Sequence, residues 1–240
     1  ATTEMLAPRG VGIGYRLSHP VFKVAADLQN NTNTGKDTTG VGAQESEGFF
    51  YGARAEFSFS PEWFIAKRTE SWYGQEGTGL NVGISYGTNA DAIIADREVT
   101  TTAYGVDILV HFHALSAFAE YRKQTVESTA IGAGAAVPDV DSDVILAQLG
   151  YAFPLEDGTV IEPAVRYQII DEDTDLNETV NYASSGTTAE VGNSGDQIDL
   201  GINYYLDGHG NKLMLSYQIW SAEEGNADAN IIRLQHQLNF

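Results

Sequence analysis

Three short stretches hold residue types that could do chemistry. "DEDTD", residues 171–175, sets Asp171, Asp173 and Asp175 at the first three ligand spacings of a calcium loop. Leu176 stands where that loop needs glycine and Tyr182 where it needs glutamate, so the stretch reads as a solvated acidic loop. His111 and His113 in "HFH" would share one strand face and could begin a zinc site, but no third ligand is close in sequence. A turn is the simpler account of them. "GVGIGY" carries Gly10, Gly12 and Gly14 without a following helix, which leaves small residues on a crowded face rather than a dinucleotide site. No G-x-S-x-G motif is present, and nothing in the chain implies a cofactor, a metal or enzymatic turnover.

The remaining candidates are charges spaced to lie on one side of extended strands: Arg54, Glu56, Asp107, Glu120, Arg122, Glu162, Arg166, Asp199, Lys212 and Arg233. What must position them is a series of stretches that alternate with a period of two. Tyr51, Ala53, Ala55, Phe57 and Phe59 alternate with Gly52, Arg54, Glu56 and Ser58; Tyr104, Val106, Ile108, Val110 and Phe112 alternate with Gly105, Asp107 and His111. The same pattern runs through 10–17, 22–28, 80–87, 116–122, 144–153, 160–169, 197–206, 212–220 and 231–240. That makes eleven predicted strands, each about the ten residues of a tilted bilayer-crossing strand. The charges of these stretches fall opposite the apolar parity, and Tyr15, Tyr51, Tyr86, Tyr104, Tyr121, Tyr151, Tyr167, Tyr204 and Tyr217 fall on it.

Alternation alone does not say which face meets water. A soluble sandwich turns its apolar parity to a core; a membrane barrel turns it to lipid and keeps a wet lumen. Two further signs favour the barrel. Aromatics gather near strand ends, as at a membrane interface. Short turns ("SHP", "HA", "PLEDG", "DGHGN") take turns with longer polar connections (29–46, 88–98, 128–143 and 171–195). Ser60–Gly79 is the exception, a long segment on the short-turn side that reads as a periplasmic excursion, part helical. No linker divides the chain, so one domain covers residues 1–240.

Composition limits the alternatives. The chain has 240 residues, 33 acidic against 13 basic side chains for a formal charge of −20, and no cysteine. No run approaches the roughly 18–20 apolar residues of a spanning helix. A nucleic-acid partner is disfavoured, because the acidic balance repels phosphate and no basic cluster interleaves with aromatics. "ATTEMLAPRG" lacks the regions of a secretion signal, which places any such signal upstream or already removed.

"AYGVDILVHFHALSAFAEYRKQ", "AQLGYAFPLEDGTVIEPAVRYQIID" and "QIDLGINYYLDGHGNKLMLSYQ", with a last strand ending in Phe240, resemble the successive C-terminal hairpins of the phosphate-selective porin O and P family. "GVGIGYRLSHPVFKVAADLQN" and "YGARAEFSFSP" resemble its earlier hairpins more loosely. The resemblance implies an all-β transmembrane antiparallel β-barrel, the eleven strands being part of a sixteen-stranded barrel that forms a homotrimer. It also implies the outer membrane of a Gram-negative bacterium, reached through the periplasm, with lipid and lipopolysaccharide around the barrel. An odd strand number agrees with a chain lacking N-terminal strands, or with a further strand where the chain reads as loop, because single-chain bacterial barrels have even counts. The implied activity is passive diffusion of small hydrophilic solutes and ions, with no cofactor, and the ten charged residues named above would line the pore.

The chain departs from that family in its charge. Phosphate selectivity needs dense Arg and Lys, whereas the predicted lumen face holds seven basic and six acidic side chains on the strands. A general or mildly cation-favouring pore is therefore expected. The alternatives are an anion- or phosphate-selective porin and a non-conducting structural or adhesive barrel.

Overall fold

The computed structural model describes residues 11–30, 48–59, 78–94, 97–130, 139–173, 194–208, 210–222 and 228–238. Gly10, Asp175, Phe240, most of the predicted Ser60–Gly79 excursion and the centres of the long connections lie outside them. The described chain is all-β: β1 (Gly12–His19), β2 (Phe22–Asn30), β3 (Phe49–Ser58), β4 (Thr78–Ile94), β5 (Arg97–Phe112), β6 (Leu115–Ala130), β7 (Val140–Tyr151), β8 (Phe153–Pro154), β9 (Val160–Asp173), β10 (Gly195–Asp207), β11 (Asn211–Ala222) and β12 (Ala229–Leu238). Eleven of these occupy the stretches that the alternation predicts; the addition is β8, a two-residue piece that pairs with β9.

All strands join one antiparallel sheet in the order β1-β2-β3-β4-β5-β6-β7-β9-β10-β11-β12, so every long strand lies beside its neighbour in sequence. The sheet is open: among the described residues β1 and β12 do not pair with each other, and both edges offer backbone donors and acceptors.

The turns at one end are tight. His19 pairs with Phe22 and Phe112 with Leu115, each across a two-residue turn. His113 takes φ 52° in the second of these, a left-handed conformation that the sharp reversal requires. His111 and His113 therefore do not share a strand face: His113 is in the turn, and His111 is a buried strand residue of β5. Between β8 and β9, Gly158 at φ 85° completes a turn in which Asp157 accepts from the Thr159 hydroxyl (2.7 Å) and amide (3.0 Å). Those two donors, the hydroxyl first, hold the Asp157 carboxyl below its ordinary range.

At the opposite end the strands run further than the alternation predicts. β4, β5 and β6 have 17, 16 and 16 residues, and the segment 88–98, expected as a loop, is largely paired strand, with Ala92 opposite Val99 and Ile94 opposite Arg97. In these extensions polar residues stand on both parities and single apolar ones interrupt them, as Ile93 and Ile94 do, so the period-two signal is lost and they read as loop.

The faces of the sheet differ sharply. Ile84, Val106, Ile108, Ile145, Leu149, Val165, Ile198 and Leu200 are exposed on one face, while Glu56, Ser58, His111 and Glu162 are buried on the other. A soluble fold distributes these the other way. No second layer covers the apolar face among the described residues.

The apolar face is zoned along the strands. Tyr15, Tyr51, Tyr86 and Tyr104 are exposed toward the long-connection end, and Phe57, Phe59, Phe112, Tyr151 and Phe153 toward the short-turn end. Aliphatic side chains fill the interval. From Tyr104 to Phe112 along β5, a rise of ~3.3 Å per residue gives roughly 26 Å. Beyond the tyrosines this face becomes charged: Lys123 pairs with Asp141 at 2.8 Å, Tyr121 donates to Asp143 at 2.5 Å and Thr125 to Asp141 at 2.6 Å.

Candidate functional site: the polar face of the sheet

Residues directly opposite in an antiparallel pair project to the same side, so the register sorts the charges into rows. One row runs Arg16, Ala25, Arg54, Ser85, Gly105, Arg122 across β1 to β6. The next, two residues nearer the short turns, runs Ser18, Lys23, Glu56, Gly83, Asp107, Glu120. Continued into β7, β9, β10 and β11 the first row becomes Val144, Ile170, Gly195 and Ala222, and the second Leu146, Gln168, Gln197 and Trp220. Both rows lose their charge there.

The centre of the charged half is an ion triad. Arg54 reaches Asp107 with both terminal nitrogens, at 2.7 and 2.9 Å, and Glu56 through Nε at 2.5 Å. The two-point contact with Asp107 crosses an intervening strand, since Arg54 is on β3 and Asp107 on β5. Gly83 of β4 makes this possible: a Cβ there would meet the Arg54 guanidinium and lie 2.6 and 2.8 Å from the Asp107 oxygens. Glycines lie under other polar side chains too: a Cβ at Gly150 would lie 2.8 Å from Glu162 and 3.0 Å from Ser116, and one at Gly14 would lie 2.7 Å from Asp27 of the Arg16–Asp27 pair, though no strand is skipped there. A valine ordinarily suits a strand better than glycine. Gly83→Val is nevertheless expected to lower stability by roughly 2 kcal/mol or more, because it parts a shielded ion pair. Equal or greater resistance to denaturant than the parent protein would refute this account of Gly83.

A second charged group lies on β9 to β12. Arg166 pairs with Asp199 at 2.5 and 2.6 Å, and Gln197 donates to the same carboxylate at 2.7 Å. Glu162, 3% exposed, accepts from the Tyr205 hydroxyl at 2.6 Å and from Asn203 at 3.0 Å. The Lys212 ammonium sits 5.8 Å from the centre of the Tyr205 ring, and exposed Arg233 donates to Gln218 at 2.9 Å. All ten charges singled out in the sequence thus share the polar face. They are gathered in two groups, Arg54, Glu56, Asp107, Glu120 and Arg122 on β3 to β6, and Glu162, Arg166, Asp199, Lys212 and Arg233 on β9 to β12.

Sequence reasoning missed Tyr205 and Asn203 as holders of Glu162 and the burial of His111. The alternation places Tyr204 on the apolar parity and so Tyr205 on the polar one, but the contact with Glu162, 43 residues away, needs the register of β9 with β10. It also missed the charges on the apolar face, Lys123, Asp141 and Asp143, which stand beyond the aliphatic band. Among the described residues no three His, Cys, Asp or Glu side chains gather as a metal site. The architecture defines a class: a sequential antiparallel sheet with an exposed apolar face and a shielded, charge-paired polar face. No protein-family model and no curated protein sequence matches the chain.

Proposed function

We propose that this chain forms the wall of a transmembrane β-barrel in a bacterial outer membrane, and that the barrel passes small hydrophilic solutes and ions by diffusion. The observation that carries the reading is the inverted polarity of the sheet. Its exposed face is an aliphatic band bounded by tyrosines at one end and aromatics at the other, and its shielded face holds the ion pairs. Lipid favours the first face, and a wet lumen favours the second. The band, roughly 26 Å along β5 at ~3.3 Å per residue, projects to about 20 Å at the ~35–45° strand tilt of such barrels, on the order of their ~25 Å apolar belt. Closure would supply partners for the free edges of β1 and β12, since no open sheet edge persists in hydrocarbon.

The charge pattern supports a general pore that leans toward cations. On the polar face Arg54 is matched by two carboxylates, and Arg16 and Arg166 by one each, so these three arginines form no uncompensated basic array. The formal charge of −20 raises the local concentration of cations around the molecule. A homotrimer is the assembly that the porin resemblance suggests. Single-channel recording from unheated, detergent-purified protein in a planar bilayer under a salt gradient tests the whole reading. Steps in groups of three and a cation-signed reversal potential are expected. Silence from protein shown to be folded would refute the porin and leave a non-conducting barrel.

A further inference from the structure

The two ends of the apolar face differ in charge. Toward the long connections it carries Lys123 with Asp141, Asp143, Asp171 and Asp196, Asp171 standing directly opposite Asp143 and Asp196 opposite Ile169. Toward the short turns, among the described residues, the same face has no Asp or Glu beyond the aliphatic band. Histidine stands there instead. His19, His113 and His236 are exposed at this end, and no described histidine lies at the other. Each of the two-residue turns joins such a histidine to a phenylalanine: His19 stacks on Phe22 with ring centres 4.7 Å apart, and His113 meets Phe112 edge-on at 4.7 Å. An aromatic ring on the apolar side with a polar ring at the rim suits the headgroup level. His19 Nδ1 accepts from the Val21 amide at 3.3 Å, which leaves its proton on Nε2. His236 Nε2 donates to Asn211 Oδ1 at 3.0 Å, so Nδ1 is the nitrogen that gains a proton in acid. Among the described residues the other charged groups of this end, with His111, are Lys23, Glu56, Glu162 and Lys212 on the polar face, Asp207 paired with Asn211 at the β10–β11 turn, and Glu156 and Asp157 in the β8–β9 turn.

We infer that the short-turn rim of the apolar face is a docking surface for the phosphate of anionic phospholipid headgroups, and that the acidic rim at the other end repels them. Imidazole offers an N–H to phosphate when neutral and adds a positive charge as the medium turns acid. The contact therefore strengthens as pH falls. A basic side chain at an anionic bilayer surface raises association roughly fivefold. The inference rests on the transmembrane reading, because only a chain that crosses the bilayer brings its short turns to the headgroups of one leaflet.

The test uses the full chain in phosphatidylcholine vesicles, with spin-labelled phosphatidylglycerol compared against spin-labelled phosphatidylcholine at about pH 5.5 and about pH 8. The motionally restricted share of each label reads the lipid held at the protein surface. The ratio of restricted phosphatidylglycerol to restricted phosphatidylcholine is expected to rise at least ~2-fold on acidification, a part of the roughly fivefold that one full basic charge gives. A variant with His19→Gln, His113→Gln and His236→Gln keeps polar side chains without the titrating charge, and is expected to lose that rise. Because the ratio compares two labels on one preparation, the amount of incorporated protein cancels. A parent ratio that does not rise on acidification, or a rise that the variant retains in full, overturns the docking surface. No restricted component for either label fails the transmembrane reading itself and the docking surface with it.

Discussion

Leu200→Arg is expected to lower the stability of the folded protein in lipid or detergent by about 2–4 kcal/mol, the cost of a basic side chain near the middle of the apolar band if, as proposed, that band faces lipid. Leu200 lies on β10 in the aliphatic zone, 47% exposed, opposite Val165 and Tyr217. Its neighbours therefore leave room for the longer side chain, and steric crowding contributes little. Gln197→Arg on the same strand is the paired control. It faces the polar side, where Gln197 already contacts Asp199, so an arginine gains a carboxylate partner. The pair separates environments rather than sites. If the apolar face met water, arginine at an exposed leucine would stay within about 0.5 kcal/mol. Reversible unfolding in vesicles or micelles, followed by the mobility change between folded and heated protein, reads the difference. Equal stability of the two variants would refute a lipid-facing β10.

Arg54→Leu is expected to cost about 2–4 kcal/mol, below the limit for a fully buried pair, because it leaves Glu56 and Asp107 shielded beside each other without their shared cation. Glu56 is 4% exposed, and the Asp107 side chain 16%. Those figures put the triad between an exposed pair, worth about 0–1 kcal/mol, and a fully buried one. The loss is expected to follow from stranded carboxylates rather than from a missing attraction. A triple variant, Arg54→Leu with Glu56→Gln and Asp107→Asn, should therefore regain most of the stability. Denaturant unfolding of the parent, single and triple variants checks this. A single-variant loss below about 1 kcal/mol would mark the triad as an ordinary solvated pair.

Both variants bear on features of different legibility. Leu200 is assigned to the apolar face by period two alone, since Ile198, Leu200 and Ile202 alternate with Asp199, Gly201 and Asn203. The triad is half legible. Arg54 and Glu56 share a face by the same rule, but nothing in the sequence says that Asp107, 53 residues on, lies within reach. That contact needs the β3–β4–β5 register and the missing Cβ of Gly83. His111 illustrates the limit from the other direction. "HFH" reads as a turn, and the sheet instead covers His111 on the polar side opposite Ser116.

The sequence by itself determined that the chain is made of antiparallel strands, where eleven of them lie, and which side chains share a face. Those properties are local, because a strand's period and its turn residues are set by neighbouring atoms. The tertiary structure decided which face is shielded, how far β4, β5 and β6 extend, and which charges meet. A period-two pattern is unchanged when inside and outside are exchanged, and a stretch with polar residues on both parities has no pattern to read. Pairing across a skipped strand depends on register summed over three strands, and no single segment of sequence contains that sum.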